Sequence, residues 1–498
     1  MKKLSILLAL LLLVTGCSSN AGISQTPEAT TAAAIQETEN NLVTLDIFAV
    51  NDLHGKLADT DAQPGVDELS TYLKQAQQAG NTILLATGDM WQGASESNLT
   101  DGLIVTDWMN EMDFTALTVG GHEFDWGEEP LKQNVELAEF PFLSINIYNR
   151  ETDQPLEYCE TSIMVDVDGV QIGIIGAIGD IYNSIATEHS KNIYFKVGDE
   201  LTELVKAESE KLRSEGADFI IYTMHAGYDK TNVVTKSKSV SDWELEEYYD
   251  VVLSEGYVDI VFEADSHFTY VLTDREGVYH LQAGGNNKGI SHASVLFNKA
   301  NGDVLIYNAE LVMANQYTQL EDDPVVEQLL EKYDEQLAPA TRLLGNNGQY
   351  RSGDDICQIV ADLYASLGEE TWGEEYDIVL GGGFISCRSP GYLPAGEVSY
   401  SHLLALLPFD NQITLCSIQG RDLISKFLES THYAYFIKTT DYGRSIRNRI
   451  DPNATYYVVT DSYSAYYAPN NMTVIDTYDD GIFARDLVAD FISAGGMQ

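Results

Sequence analysis

The sequence predicts an α/β chain built from two units. Three observations carry this reading. Short apolar β-type runs alternate with segments of helical spacing through roughly the first three hundred residues. Several of those runs end in Asp, His or Gly, as expected where ligands sit at the carboxyl ends of strands. The pattern then breaks and a second α/β alternation begins near Thr341. The first strand is Leu42–Val50 and the second Thr82–Thr87. Between them Val66, Leu69, Tyr72, Leu73 and Ala76 share one helical face, which Gly80 ends. Further strands are expected at Ala116–Val119, Phe142–Ile145, Val170–Ile175, Phe219–Met224, Ile260–Glu263, Tyr279–Gln282 and Ala293–Phe297. Asp322-Asp323-Pro324 opens a helix with Val325, Val326, Leu329, Leu330, Tyr333 and Leu337 on one side, and Pro339 stops it. This reads as an interdomain helix. The second unit carries a Gly-rich turn at Gly381–Gly383 and a Tyr-rich C-terminal section, and no internal repeat is evident.

The N-terminus reads as an export signal. Lys2 and Lys3 precede the apolar run Leu4–Val14, which is too short to span a bilayer comfortably and ends in Val-Thr-Gly-Cys at Cys17. A small residue before Cys17 resembles a bacterial lipobox, which implies cleavage before Cys17 and a lipid on its sulfur. An ordinary secretory signal with an incidental cysteine is the alternative. Residues 18–41, rich in Ser, Thr, Ala, Gln and Glu, hold too little apolar surface to fold and read as a tether. No second segment is long and apolar enough to cross a membrane. Four further cysteines, Cys159, Cys357, Cys387 and Cys416, form no Cys-x-x-Cys, which argues against a structural zinc site. In an exported chain they allow one or two disulfides, whose pairing the sequence does not give.

With 28 basic against 77 acidic residues the formal charge is −49. Such a surface repels nucleic-acid polymers and anionic membranes, so neither is an expected partner. Any anionic substrate must be drawn in locally, by metal ions and arginines.

The chemistry-bearing residues fall in four clusters that follow strands. Asp52 and His54, two apart at the end of a buried strand, point the same way out of the sheet edge. Asp89 lies in Gly88-Asp89-Met90-Trp91-Gln92-Gly93, where a carboxylate can bridge two metals and the glycines admit close backbone approach. Gly120-Gly121-His122-Glu123-Phe124-Asp125 follows the third strand, and His225 follows Phe219–Met224. Ala264-Asp265-Ser266-His267 completes the set. Two divalent ions held by such residues acidify a water and clamp the attacking and leaving oxygens of an in-line displacement. Mixed imidazole and carboxylate ligands suit Zn, Mn, Co or Fe better than Ca.

In this order the clusters resemble the bifunctional 5′-nucleotidase and cyclic-nucleotide phosphodiesterase family, over nearly the whole chain from Leu42 onward. The resemblance implies a four-layer αββα metallophosphoesterase sandwich over 42–315, a linker helix over 316–340 and a C-terminal substrate-binding domain over 341–498, after a signal (1–16) and tether (17–41). It implies that Asp52, His54, Asp89 and His267 hold one metal. Asp89, as the bridge, and His225 hold a second. His122, oriented by Asp125, supports the transition state. Two departures fall on the second metal. Gly121 stands where the family has an Asn ligand, and Asp265 where it has a His. Either the second ion is weaker or harder, Mn or Mg with Asp265 as ligand, or water fills the amide's place beside Gly121 and little else changes.

In the family's C-terminal domain a nucleobase stacks between two aromatic rings. Pro408-Phe409-Asp410-Asn411 matches its Pro-Phe-x-Asn, which implies Phe409 as one ring and Asn411 as a base contact. Asp461-Ser462-Tyr463 places Tyr463 as the second ring. The family's Gly-Gly-Gly-Ile-Arg becomes Gly381-Gly382-Gly383-Phe384-Ile385 here, so Arg388 and Arg351 are the nearest candidates for its phosphate- or ribose-binding arginines. The expected activity is metal-dependent hydrolysis of extracellular nucleotides by attack of metal-bound hydroxide on phosphorus, extending to UDP-sugars or cyclic nucleotides. The cofactors are two divalent ions (Zn, Mn, Co or Mg), and the protein is a monomer lipid-anchored on the outer face of a bacterial membrane. The alternative is a catalytically weakened nucleotide-binding lipoprotein with an impaired second metal site.

Overall fold

The computed structural model describes residues 41–498 except 60–63, 182–184, 186, 229–237, 240–255, 275, 386, 388–390, 429–432, 438–440, 443–446, 468–469, 479–480 and 498. Cys17, the signal and the tether lie outside the described residues, and so does Arg388. No helix among the described residues is long and apolar enough to cross a membrane.

The first unit contains the strands β1 (Leu42–Val50), β2 (Asn81–Ala86), β3 (Ala116–Thr118), β4 (Phe142–Leu143), β5 (Val170–Ile178), β6 (Phe219–His225), β7 (Ile260–Glu263), β8 (Tyr279–Ala283), β9 (Gly289–Asn298) and β10 (Asp303–Met313). One sheet has the order β10-β9-β1-β2-β3-β4. The other runs Lys238–Ser239, Thr269–Thr273, β8, β7, β6, β5, Ser162–Val167. The central strands β1 to β4 are parallel, as are β5, β6, β7 and β8, so their carboxyl ends open on one edge.

Alternation along β1 decides its two faces. Leu45, Ile47 and Ala49 enter a core shared with Ile172, Ile174, Ile221 and Phe262 of the second sheet, while Phe48 and Val50 face the opposite side. There they meet the helices α1 (Asp67–Ala79), α2 (Leu103–Glu111) and α3 (Glu128–Leu137). Helix α4 (Asp199–Glu215) covers the outer face of the second sheet with Leu201, Val205 and Leu212. The result is a helix–sheet–sheet–helix sandwich, the expected architecture.

Three strands that an apolar-run search does not see, Ser162–Val167, Thr269–Thr273 and β10, add to the sheets near or at their edges. The two at an edge are only partly buried, because one side of each meets solvent. The expected interdomain helix is instead two short ones, α5 (Val325–Lys332) and Asp334–Leu337, broken at Tyr333. Val325, Val326, Leu329 and Tyr333 belong to the first unit's core, and the Tyr333 hydroxyl donates to buried Asp107 at 2.6 Å. Burial of this face ties the segment to the first unit.

The second unit is a six-stranded sheet with β11 (Ile378–Gly383), β12 (Ile413–Gln419) and β13 (Thr455–Asp461) at its centre. Helix α6 (Gly353–Trp372), opened by a capping box between Ser352 and Asp355, packs on one face with α7 (Tyr400–Leu406) and α8 (Ala484–Ser493). Gly381–Gly383 is not a turn but the end of β11. A Cβ at Gly381 would strike the Ala365 backbone of α6, so glycine here permits close helix–strand packing.

At the start of α1, burial and the nearby Asp59, Asp322, Glu68 and Asp323 push Asp67 up to about 7. An acid raised on folding holds its proton more tightly when folded, so this site loses stability as pH climbs from about 4 through 7. Asp67→Asn is expected to flatten the fall in Tm between about pH 5 and pH 8. Thermal unfolding across that range checks it, and an unchanged slope contradicts it.

Candidate metal centre and active site

Every expected ligand lies at the carboxyl edge of the two sheets. Asp52 and His54 follow β1, Asp89 follows β2, His225 is the last residue of β6, and Asp265 and His267 follow β7. Five of the six share an unusual backbone: φ is 49° at Asp52, 52° at His54, 55° at Asp89, 65° at Asp265 and 57° at His267. The left-handed region is sparsely used by non-glycine residues, Asp and His being among the more tolerant. It turns each strand end sharply, so that alternate side chains converge instead of running on.

They converge on two neighbouring groups that share Asp52, and Asp89 also groups with His54 and His122. At the first, His54 Nε2 lies 3.0 Å from His267 Nε2, and His267 Nε2 lies 3.4 Å from Asp52 Oδ1. At the second, His225 Nε2 is 3.1 Å from Asp89 Oδ1 and 4.0 Å from Asp265 Oδ1. The ligand atoms of Asp52, His54 and His267 all fall within 4.8 Å of one another, as do those of Asp52, Asp89 and His225.

The proton positions fit metal ligation. His225 Nδ1 is 2.8 Å from the Thr87 carbonyl, and His54 Nδ1 is 3.0 Å from that of Gln92. A carbonyl only accepts, so both Nδ1 atoms carry the hydrogen and both Nε2 atoms are turned to the shared points. His225 Nε2 is buried and faces Asp89 Oδ1. Burial opposes the Asp89 charge, but the His225 and His122 imidazoles outweigh it and hold this carboxyl well below the usual range. Burial likewise opposes charge on His225, and Asp89 overrides it, raising the imidazole well above its ordinary value. Asp265, with 39% of its side chain exposed, is pushed up to about 6 by its enclosure and by the Asp89 and Asp52 charges, against the pull of His225. Three carboxylates around one point call for cations, and a divalent ion held there would take the place of the protons that otherwise compensate the cluster.

Several supporting residues carry no signal of their own in the sequence. Glu123, 1% exposed, accepts the N–H groups of Asp89 (3.0 Å), Met90 (2.8 Å) and Gly120 (2.7 Å), bracing the bridging loop. Asn51 Nδ2 donates to Asp52 Oδ2 at 2.7 Å, and the Asp265 N–H donates to both Asp52 oxygens at 3.1 Å. Gln282 ties the Asp265–His267 loop through Ser266 Oγ at 2.8 Å and the Phe268 carbonyl at 3.0 Å. Gly88 and Gly120 are glycines of necessity: a Cβ would sit 2.5 Å from His225 Nδ1 and 2.6 Å from Asp89 Oδ1 respectively.

His122 stands beside this centre. Its Nδ1 is 2.6 Å from Asp125 Oδ2, its Nε2 is 3.8 Å from Asp89 Oδ2, and its N–H donates to Asp89 Oδ1 at 2.9 Å. The pair opens on a cleft of about 970 Å³, part of it solvent, whose far wall comes from the second unit. Phe409, Asn411 and Tyr463 all line it, and the Phe409 ring lies 6.2 Å from that of His122. The structure adds His189, Trp126 and Tyr364 to the lining, none of them marked by a motif. Buried Arg485 pairs with Asp410 and donates to the Phe409 carbonyl at 3.2 Å, seating the aromatic segment. Arg351 is not among the lining residues; its Nε donates to Asn347 Oδ1 at 3.1 Å.

No family model matches the sequence. Full-length relatives do. Protein UshA of Yersinia enterocolitica is 26% identical over 480 residues, covering 84% of this chain and 85% of the relative. The 5′-nucleotidase of Vibrio cholerae is 24% identical and covers 87% of both chains. The two-unit architecture recurs in the crystal structure of a 5′-nucleotidase precursor from Thermus thermophilus, with a TM-score of 0.69 and 17% identity over 91% of this chain and 96% of that one. Along most of its length this chain is therefore similar to UshA and to 5′-nucleotidases. A putative 5′-nucleotidase from Staphylococcus aureus has the same fold, with a TM-score of 0.70 and 17% identity over 90% of this chain and 96% of that one.

Glu123→Gln turns one accepting oxygen into a donor facing backbone N–H groups. Loss of such a bracing contact is expected to weaken Mn binding about 10- to 100-fold by calorimetry. Unchanged affinity contradicts the bracing role.

Proposed function

We propose that this chain is a metal-dependent phosphoesterase that hydrolyses extracellular nucleotides. One observation carries the reading: Asp89 groups with His54 and His122 on one side and with Asp52 and His225 on the other, and the His122–Asp125 pair faces an aromatic-walled cleft. Asp52, His54, Asp89 and His267 hold one divalent ion, and Asp89, His225 and Asp265 the other. Bound there, the ions polarise the phosphoryl oxygens and acidify water. Asp125 accepts the Nδ1 hydrogen of His122, which fixes the ring and leaves Nε2 to stabilise charge or give a proton to the leaving alkoxide. Phe409 and Tyr463 hold the base, and Asn411 contacts its edge. The protein acts as a monomer, exported and held by a lipid on Cys17.

The weakened-binder reading is not favoured. A binding protein has no chemical need for the His122–Asp125 pair, 2.6 Å apart and aimed at Asp89. Purified protein is expected to release phosphate from AMP, ADP, UDP-glucose or cyclic AMP when supplied with Mn, Zn, Co or Mg. His122→Ala should lower turnover at least 100-fold. No turnover with any metal, alongside retained nucleotide binding, overturns the proposal.

The second ion is the weaker one in this reading, because Gly121 contributes no ligand. A Cβ at Gly121 would press on Ile181 Cδ1 at 3.2 Å and meet Ile185 Cγ1 at 3.8 Å, so apolar groups line the space beside it. About one ion per chain should survive mild dialysis. Gly121→Asn combined with Ile181→Ala should raise that to about two, whereas two ions already held by the unaltered chain contradict the asymmetry.

A further inference from the structure

We propose that Cys357 and Cys387 form an intramolecular disulfide that fastens one wall of the cleft to helix α6. Their sulfur atoms lie 3.4 Å apart, across 30 residues of sequence. A disulfide places sulfurs about 2.0 Å apart, so closing this pair takes movement of little more than an ångström. Cys357 is 2% exposed in the first turns of α6, whereas Cys387 is partly exposed and within reach of an oxidant. The two segments are already in contact. Cys387 Sγ is 3.4 Å from the Gly353 carbonyl, and a Cβ on Gly353 would meet Cys387 Cβ at 3.1 Å and the Gly391 carbonyl at 3.2 Å. The glycine at the start of α6 is what lets the chain after β11 cross so close.

The location gives the bond its consequence. Cys387 follows Phe384 and Ile385, both of which line the cleft, and the Phe384 ring packs edge-on against Tyr467 at 5.2 Å and Tyr463 at 6.4 Å. Fixing Cys387 to a helix that packs across the sheet holds this aromatic group in place. The thiol of Cys387 is raised by its contact with Cys357, by burial and by Asp354, so the pair is a slow structural couple and not a reactive redox centre. The remaining described cysteines differ in place: Cys159 is partly buried against the first unit's core, and Cys416 is 0% exposed in β12.

An exported chain meets disulfide oxidants. The Cys387 thiolate attacks a small-molecule disulfide, releasing one thiol and leaving a mixed disulfide. The Cys357 thiolate then attacks the Cys387 sulfur and releases the second thiol. Two protein thiols lose two protons and two electrons, and the oxidant takes up both as two thiols.

The test uses the full chain and glutathione disulfide. After incubation, remaining thiols are blocked with a maleimide and peptides are mapped without reduction. Cys357 and Cys387 peptides should appear linked and two hydrogens lighter, with Cys159 and Cys416 carrying the blocking group. Both Cys357 and Cys387 blocked, or either one linked to Cys159 or Cys416, overturns the proposal. A second measurement covers the chance that oxidation is incomplete. Dithiothreitol should lower the Tm of the oxidised chain by several degrees and leave Cys387→Ser unmoved; equal responses overturn it. A further arm rests on the nucleotidase reading: reduction should raise KM for AMP several-fold with kcat unchanged. Unlinked peptides defeat the disulfide, whereas linked peptides without AMP turnover defeat only that reading.

Discussion

The first unit is organised by the enclosure of acidic side chains around a single point. Asp52 is 0% exposed and Asp89 4%, and Asp265 stands beside them at the mouth of the site. Uncompensated carboxylates this close do not stay ionised in a protein interior. Compensation comes from four imidazoles, His54, His122, His225 and His267, and the chain spends conformational strain to bring the groups together, with five candidate ligands in the left-handed region at the ends of β1, β2 and β7. The parallel strands supply the common edge, Gly88 and Gly120 supply the room, and Glu123, Asn51 and Gln282 fix the loops. Each feature is an unusual choice for stability alone, and each suits a site for divalent cations.

The second unit completes the site. His122 faces both Asp89 and Phe409, and the Asn98 amide donates to the Leu404 carbonyl at 3.3 Å, so the two units meet around the cleft. The cleft walls include Asp125, Asp410 and Asp461, and Arg485 is engaged with Asp410. In a chain of charge −49, attraction for a phosphate ester would therefore fall chiefly to cations held at the strand ends, while the aromatic walls offer apolar surface.

Much of this was legible in the sequence. Strand β1 was bounded correctly because an apolar run ends abruptly in Asn51-Asp52. The candidate ligands could be picked out because Asp and His recur just after strands, and all six lie at one edge of the sheets. Glu123 was visible but mute: a buried carboxylate that accepts three backbone N–H groups looks, in sequence, like any Glu beside a His. His189 and Tyr364 reach the cleft through tertiary packing that no local pattern encodes. The helix at Asp322–Leu337 was misjudged because its apolar stripe is the same whether it bridges units or joins one core; only the contacts of Val325, Leu329 and Tyr333 distinguish the two. Gly381–Gly383 was misread as a turn for a related reason, since glycines that admit a helix against a strand carry the same letters as glycines that reverse the chain.

The central claim is that the shared Asp89 carboxylate joins two cation positions. Anomalous diffraction from crystals soaked in Mn tests it most directly. The account predicts two peaks roughly 3.5–4 Å apart, one among Asp52, His54, Asp89 and His267, the other among Asp89, His225 and Asp265, with the second peak lower. Peaks lying elsewhere, or none at the strand ends, would contradict it.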